Sequence, residues 1–105
     1  MAVHFSDGNF QEEVINSSIP VMVDFYADWC GPCKMMAPMV EKLSEEYEGR
    51  VKIGKINVDE NPEATEQFQV MSIPTFLFVK DGQVVDTAVG GMTEAVVRGK
   101  LDAML

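Results

Sequence analysis

Cysteine is scarce in this sequence, with only Cys30 and Cys33 among 105 residues. Two cysteines are too few for a secreted scaffold held together by disulfides. The loop that this pair would close is also too short to add much stability. The pair is therefore expected to be reactive rather than structural.

Basic residues are also few, with 8 Lys and Arg against 17 Asp and Glu, and the net charge is −9. The sequence lacks the basic patch with which proteins bind phosphate backbones. No apolar run approaches the roughly 20 residues of a membrane span, and the N-terminal segment lacks a basic stretch followed by an apolar one. We therefore expect a cytoplasmic protein, or the mature form of an organellar one, that binds neither nucleic acid nor membrane.

A metal site is one alternative interpretation of the two cysteines. Zinc normally takes four ligands, but the chain has no other cysteine and its single histidine, His4, lies far upstream. A second alternative is a pair of inert, buried cysteines. The Gly-Pro spacing at a strand-to-helix junction disfavours it, because at least one cysteine should be exposed there. We expect no bound metal or cofactor.

The length and the 47% hydrophobic content suit a single domain over residues 1–105. Apolar periodicity predicts the order β α β α β α β β α. Strands are expected at 2–5, 21–26, 51–58, 75–80 and 83–89, with a hairpin turn at Asp81-Gly82. Helices are expected from Ser6 or Asp7, after Cys33 with an end at Gly49, from Pro62, and from Thr93 with an apolar stripe of Val96, Val97, Leu101, Met104 and Leu105.

The stretch 21–33, VMVDFYADWCGPC, concentrates the candidate chemistry. Its first six residues are apolar apart from Asp24, which is typical of a strand buried on both faces. The period then becomes helical, so both cysteines lie where a helix begins. Free backbone N–H groups and Pro32 in the first turn favour a thiolate on Cys30. Cys33 should lie close to Cys30 but be less exposed, which suits a resolving thiol.

Four segments together resemble the thioredoxin family along essentially the whole chain: DFYADWCGPCK, KINVDENP, SIPTF and the late VGG. Cys-Gly-Pro-Cys preceded by Trp is a specific signal, whereas a bare Cys-X-X-Cys is not. The resemblance implies an α/β thioredoxin fold, a mixed sheet of about five strands flanked by four helices on both faces. Tyr26, Met71 and Ser72 depart from the commonest family pattern, but none of them is a reacting group.

The implied activity is that of a protein disulfide reductase and dithiol electron donor. Cys30 would attack a target disulfide to give a mixed disulfide, and Cys33 would then release the reduced target. The implied partners are disulfide-containing target proteins and a thioredoxin reductase, which would supply the reducing equivalents to a monomer without a cofactor. Asp24, with a pKa raised by burial, is expected to accept the proton of Cys33, and Lys55 is expected beside it. The alternatives are a solvent-facing Asp24 and a solvated Lys55.

The resemblance also implies a cis Ile73-Pro74 bond and a shallow apolar groove around Cys30. That groove would be lined by Trp29, Gly31, Pro32, Ile73, Pro74, Val89 and Gly90. Core packing is the alternative for Trp29, and a flexible connector for Gly90. The eight methionines are either core filler or part of the docking rim.

Two other functions compete with the reductase. The first is a binding or scaffold subunit in which redox activity is incidental. The second is an isomerase-like relative from an oxidising compartment, which Gly-Pro between the cysteines disfavours because relatives with that role usually carry His there.

Overall fold

A computed structural model describes residues 1–105. Five strands form one sheet in the order β1-β3-β2-β4-β5. They are β1 (Val3–His4), β2 (Val21–Tyr26), β3 (Lys52–Asn57), β4 (Thr75–Lys80) and β5 (Gln83–Val89). The first three are parallel, whereas β4 is antiparallel to β2 and to β5. The predicted mixed sheet is confirmed, and β2, which leads into the cysteines, lies at its centre.

Three α-helices and one π-helical turn accompany the sheet: α1 (Gly31–Glu46), α2 (Pro62–Gln67), α3 (Glu94–Asp102) and the turn Gln11–Ile15. The expectation that Ser6 or Asp7 caps an ordinary first helix is wrong. The hydroxyl of Ser6 accepts a hydrogen bond from the N–H of Asn9 in a local turn, and the Asp7 carboxylate binds α2 instead. None of the helices is long and apolar enough to span a membrane.

Alternation along β2 divides the core into two layers, because neighbouring side chains of a strand point to opposite faces. Met22 packs against α1 and α3 in a cluster that includes Leu43 and Leu101. Val23 packs on the other face with residues of the π-helical turn and α2. Asp24 is two residues from Met22 and therefore belongs to the face covered by α1, the helix that begins beside the cysteines.

The C-terminal end of α1 and the set of buried residues in α3 differ from those predicted. α1 continues through Pro38 and ends at Glu46, three residues before the predicted stop at Gly49. In α3, Val97 and Leu101 are buried, as is Met104 just beyond it, but Val96 and Leu105 are 48% and 56% exposed. Only one face of this short helix packs on the sheet, so its buried apolar stripe is narrower than the predicted one.

The β4–β5 hairpin is confirmed with its predicted bounds. Asp81 and Gly82 both have positive φ angles, 53° and 77°, as a tight hairpin turn of this kind requires. The pairing register shifts between Phe78 and Val79, an irregularity that the alternation of the sequence did not indicate.

Candidate active site

The two cysteines lie at the N-terminus of α1 and are joined by a disulfide, with 5.3 Å between their Cα atoms. Cys30 is the N-cap residue, and its Sγ accepts a hydrogen bond of 3.2 Å from the backbone N–H of Cys33. Pro32 occupies the first turn, where a missing N–H removes no helical bond. Negative charge on the Cys30 sulfur is therefore favoured by a directed donor and by the helix dipole.

Both cysteines are buried, Cys30 with 4% and Cys33 with 5% of its surface exposed. The expectation that Cys30 is the more exposed of the two is wrong for the disulfide form. The cysteines pack with Ala27, and the partly buried Val58 and Ile73 lie against this cluster. Val58 and Ile73 are distant from the cysteines in the chain, which is why the local motif gave no sign of them.

Asp24 is buried within β2, with 3% of its surface exposed, so the solvent-facing alternative is wrong. Its Oδ1 has no hydrogen-bond partner in the protein. Burial raises the pKa of this carboxyl from 3.8 to about 7, and the positive charge of Lys55 opposes part of that rise. The carboxyl therefore gains or loses a proton near neutral pH.

Lys55 is paired with Asp24 across the parallel β2–β3 ladder, in the place that the resemblance implies. Its Nζ lies 4.4 Å from the centre of the Tyr26 ring. Asp24, Lys55 and Cys33 line one cavity of about 320 Å³. The inner cysteine, the buried carboxyl and a positive charge therefore share one space behind the disulfide.

A second cavity, of about 370 Å³, lies beside the cysteines and is mainly apolar. It is lined by Trp29, Val58, Thr65, Val70, Met71, Ser72 and Ile73. Trp29 is 70% exposed, and its Nε1 donates a hydrogen bond of 2.8 Å to the carboxylate of Asp59. Core packing of Trp29 is therefore excluded, and the indole forms one wall of the cavity.

The residues predicted to line the groove do not all line one cavity. Gly31 and Pro32 are exposed beside Cys30 at the start of α1. The Ile73-Pro74 peptide bond is cis, as predicted, and the carbonyl of Pro74 accepts a hydrogen bond of 2.8 Å from the N–H of Gly90. Val89, the residue before Gly90, is 65% exposed. Only Trp29 and Ile73 of the predicted set line the second cavity.

Asp59 and Met71 are among the site neighbours that sequence reasoning did not assign to the site. Asp59 follows β3 as Trp29 follows β2, and these strands are parallel neighbours. Because the carboxyl ends of parallel strands meet at one edge of a sheet, that topology was the available signal for the pair. Met71 could have been assigned to the site because it lies two residues before Ile73, which was predicted to line the groove.

No group of three or more His, Cys, Asp or Glu side chains is placed to hold a metal ion. A disulfide at a helix N-terminus, with one sulfur that caps the helix and a titratable carboxyl behind it, is suited to exchange with the thiols of another protein. These features define the class of the protein, which is a thiol–disulfide oxidoreductase.

Comparisons with known proteins give the family. The family model described as Thioredoxin matches residues 1–103. The chain is 47% identical over 105 residues to "Thioredoxin 1" of Synechococcus elongatus, with 100% of this chain and 98% of the relative covered. It is 52% identical over 90 residues to "Thioredoxin" of Haemophilus influenzae, with 86% and 84% covered. The chain belongs to the thioredoxin family.

Family membership and the disulfide together make this protein a dithiol reductase of disulfides. Thioredoxins carry no cofactor, so the two cysteines are the redox centre. The family's general partners are disulfide-containing proteins and a reductase.

Proposed function

We propose that the chain reduces disulfides of other proteins through a mixed disulfide on Cys30. The Cys30 thiolate attacks one sulfur of the target disulfide, whose S–S bond breaks as the new one forms. Cys33 then attacks the Cys30 sulfur and displaces the second target thiolate. The target gains two electrons and two protons, and Cys30 and Cys33 become the disulfide. The hydrogen bond from the Cys33 N–H to the Cys30 sulfur carries this proposal, because it stabilises the attacking thiolate.

Asp24 is the proposed proton acceptor for Cys33. Its support is the cavity that the two residues share and a pKa of about 7, which lets the carboxyl take up a proton near neutral pH. Lys55 has the proposed role of favouring the carboxylate form of Asp24, since its charge lowers the pKa of that group. Asp24 would thereby help Cys33 become the thiolate that resolves the mixed disulfide.

The proposed binding site for the target is the surface around Cys30. An extended target segment would contact the exposed side chains beside the disulfide and pair with backbone groups next to Pro74. The residues in this role are Trp29, Gly31, Pro32, Ile73, Pro74, Val89 and Gly90. The second cavity, with Trp29 and Ile73 in its wall, would hold an apolar target side chain.

The dithiol is proposed to be restored by a thioredoxin reductase. We also propose that residues 1–105 act as a single domain and as a monomer in the cytoplasm. Support for one domain comes from the sheet, whose five strands extend from Val3 to Val89.

The test is catalysed reduction of a protein disulfide such as that of insulin, with dithiothreitol as electron donor. Cys30→Ser should abolish catalysis, whereas Glu12→Gln, an exposed change far along the chain from the cysteines, should not. With the dithiothreitol removed, reduced Cys33→Ser should accumulate the target as a mixed disulfide on Cys30, which peptide mass analysis locates. Catalysis that survives Cys30→Ser would contradict the proposal. A reduction potential well above the cytosolic range would instead favour the isomerase-like alternative.

A further inference from the structure

The methionines of this chain range from fully buried to almost fully exposed. Met22 and Met104 are core residues, with 0% and 3% of their surfaces exposed. Met35 and Met71 are 84% and 95% exposed. Met71 differs from Met35 because it lines two cavities, the one beside Trp29 and an adjoining one of about 610 Å³ along α2. The sulfur-bearing side chain most open to solvent is thus part of the wall that faces the proposed target.

We propose that Met71 is an oxidation site through which peroxides lower the affinity of this protein for its targets. The inference rests on the proposed function, because it assumes that targets bind at the cavity beside Trp29. A hydroperoxide transfers one oxygen atom to the thioether: the O–O bond breaks, an S–O bond forms, the sulfur loses two electrons, and the peroxide leaves as an alcohol or as water. The product is methionine sulfoxide.

Oxidation of Met71 makes the wall of the cavity more polar and leaves the sulfurs of Cys30 and Cys33 unmodified. Five of the seven lining residues are hydrophobic, so an apolar target group is the natural occupant. A sulfoxide oxygen in this wall must lose its hydration when such a group binds, and an apolar group offers the oxygen no hydrogen-bond donor in return. Ile73, which packs against the cysteines, is two residues away in the chain. Oxidation of Met71 therefore raises KM for a protein target and leaves kcat unchanged.

The disulfide form of the protein allows this oxidation to be studied separately from cysteine chemistry. Cys30 and Cys33 are bonded to each other and buried, so their sulfurs are not free thiolates when peroxide is added. Met35 supplies the matched control, because it is similarly exposed but lines neither cavity. The two methionines should react with peroxide at similar rates and differ in what their oxidation does.

The experiment treats the disulfide form with hydrogen peroxide, removes the peroxide, maps the sulfoxides by peptide mass analysis, and then measures insulin reduction with dithiothreitol as donor. Met35 and Met71 should be oxidised before Met22 and Met104. Wild type and Met35→Leu should then show KM values raised about threefold to tenfold, whereas Met71→Leu keeps its KM. Met71→Gln, a polar replacement, should raise KM without peroxide. Treatment with a methionine sulfoxide reductase should restore the wild-type value.

Two results would overturn the inference. One is an equal rise of KM in peroxide-treated Met71→Leu and wild type. The other is a Met71 that stays reduced at a peroxide dose that oxidises Met35. Failure of the proposed function gives a different result, namely insulin reduction that persists in Cys30→Ser. Turnover of a small aromatic disulfide, which reports on the cysteines without a protein target, should be unchanged by peroxide treatment in every variant.

Discussion

The carboxylate of Asp7 accepts a hydrogen bond of 2.8 Å from the backbone N–H of Ala64, 57 residues along the chain. It accepts a second one, of 3.1 Å, from the N–H of Glu63. Asn61, at the local N-cap position of α2, makes no side-chain cap, and its side-chain oxygen instead accepts a bond from the N–H of Asp7. Asp7 therefore supplies the missing cap and ties the N-terminal segment to the helix that flanks the second cavity.

Asp7→Ala should lower the free energy of unfolding by about 1 to 2 kcal/mol, because two N–H groups of α2 lose their partner. Urea unfolding of the purified protein measures the change. Glu12→Ala is the matched control, since Glu12 is an exposed carboxylate without a comparable contact, and it should change stability by less than about 0.5 kcal/mol. Equal effects of the two substitutions would show that Asp7 does not cap α2.

Asp24 should make the stability of the protein depend on pH. Its pKa is 3.8 when unperturbed and about 7 in the fold, so the folded state keeps the proton to higher pH than the unfolded state does. The stability that this protonation contributes is fully present below about pH 4 and is lost as the pH rises through about 7. Above that pH the buried carboxylate destabilises the fold by an amount on the order of 4 kcal/mol.

Asp24→Asn removes that titration, so its stability relative to wild type should rise between about pH 4 and pH 8. Urea unfolding at a series of pH values gives the difference. Asp28→Asn, which changes an exposed carboxylate lining the same cavity, should follow wild type. Parallel profiles of wild type and Asp24→Asn would mean that the Asp24 carboxyl has an ordinary pKa.

Asp24→Asn should also slow the release of target from the mixed disulfide. If Asp24 accepts the proton of Cys33, the wild-type rate rises as the carboxyl ionises near pH 7, and the variant is slower by about tenfold or more above that pH. Rapid mixing with a labelled target measures resolution from about pH 6 to pH 9, with Asp28→Asn as the control. Unchanged rates over this range would remove Asp24 from the mechanism.

Loss of the Asp59 carboxylate should free the indole of Trp29, the only tryptophan of the chain. Asp59→Ala should shorten the decay time of tryptophan fluorescence anisotropy and raise KM for insulin about twofold to fivefold, because the bond is exposed and worth about 0.5 to 1 kcal/mol. Asp28→Ala removes a neighbouring carboxylate that does not bind the indole and should leave both values unchanged. An anisotropy decay unaffected by Asp59→Ala would show that this bond does not fix Trp29.

Gly54 and Gly99 should respond to alanine in opposite directions. A Cβ atom on Gly54 would overlap the Phe5 ring and lie 2.7 Å from the carbonyl oxygen of Val3, so the β1–β3 pair must shift. Gly54→Ala should cost about 1 to 3 kcal/mol. A Cβ atom on Gly99 meets nothing within 4 Å, and alanine in α3 should add about 0.5 to 1 kcal/mol. Thermal unfolding compares the two, and a shift of both Tm values in the same direction would contradict the prediction.

Local patterns were sufficient for the strands β2, β4 and β5, whose bounds agree with those predicted. Each is an apolar or alternating run with a turn or a charged residue at its end, so the residues that define it are adjacent in sequence. Burial of Asp24 could be predicted in the same way, because its neighbours on both sides are apolar.

Features that depend on contacts between distant segments could not be predicted from local patterns. Asp7 caps a helix that begins more than fifty residues later, and no periodicity near Asp7 indicates such a bond. Ile73 lies against the cysteines, a contact that the resemblance implies but that the local motif, which places Cys30 at an exposed helix start, does not. The π-helical turn has a similar origin, since its Val14 and the preceding Phe10 are held by the layer that covers β2 rather than by helix propensity.

The position of β2 between β3 and β4 has a consequence for how the protein is made. Both neighbours of β2 in the sheet come later in the chain than the cysteines. During synthesis from the N-terminus, Cys30 and Cys33 therefore leave the ribosome before the strands that flank β2 and before Ile73. The thiols of the nascent chain pass through an interval in which they are open to any oxidant or electrophile, and this exposure ends only when β4 completes the centre of the sheet.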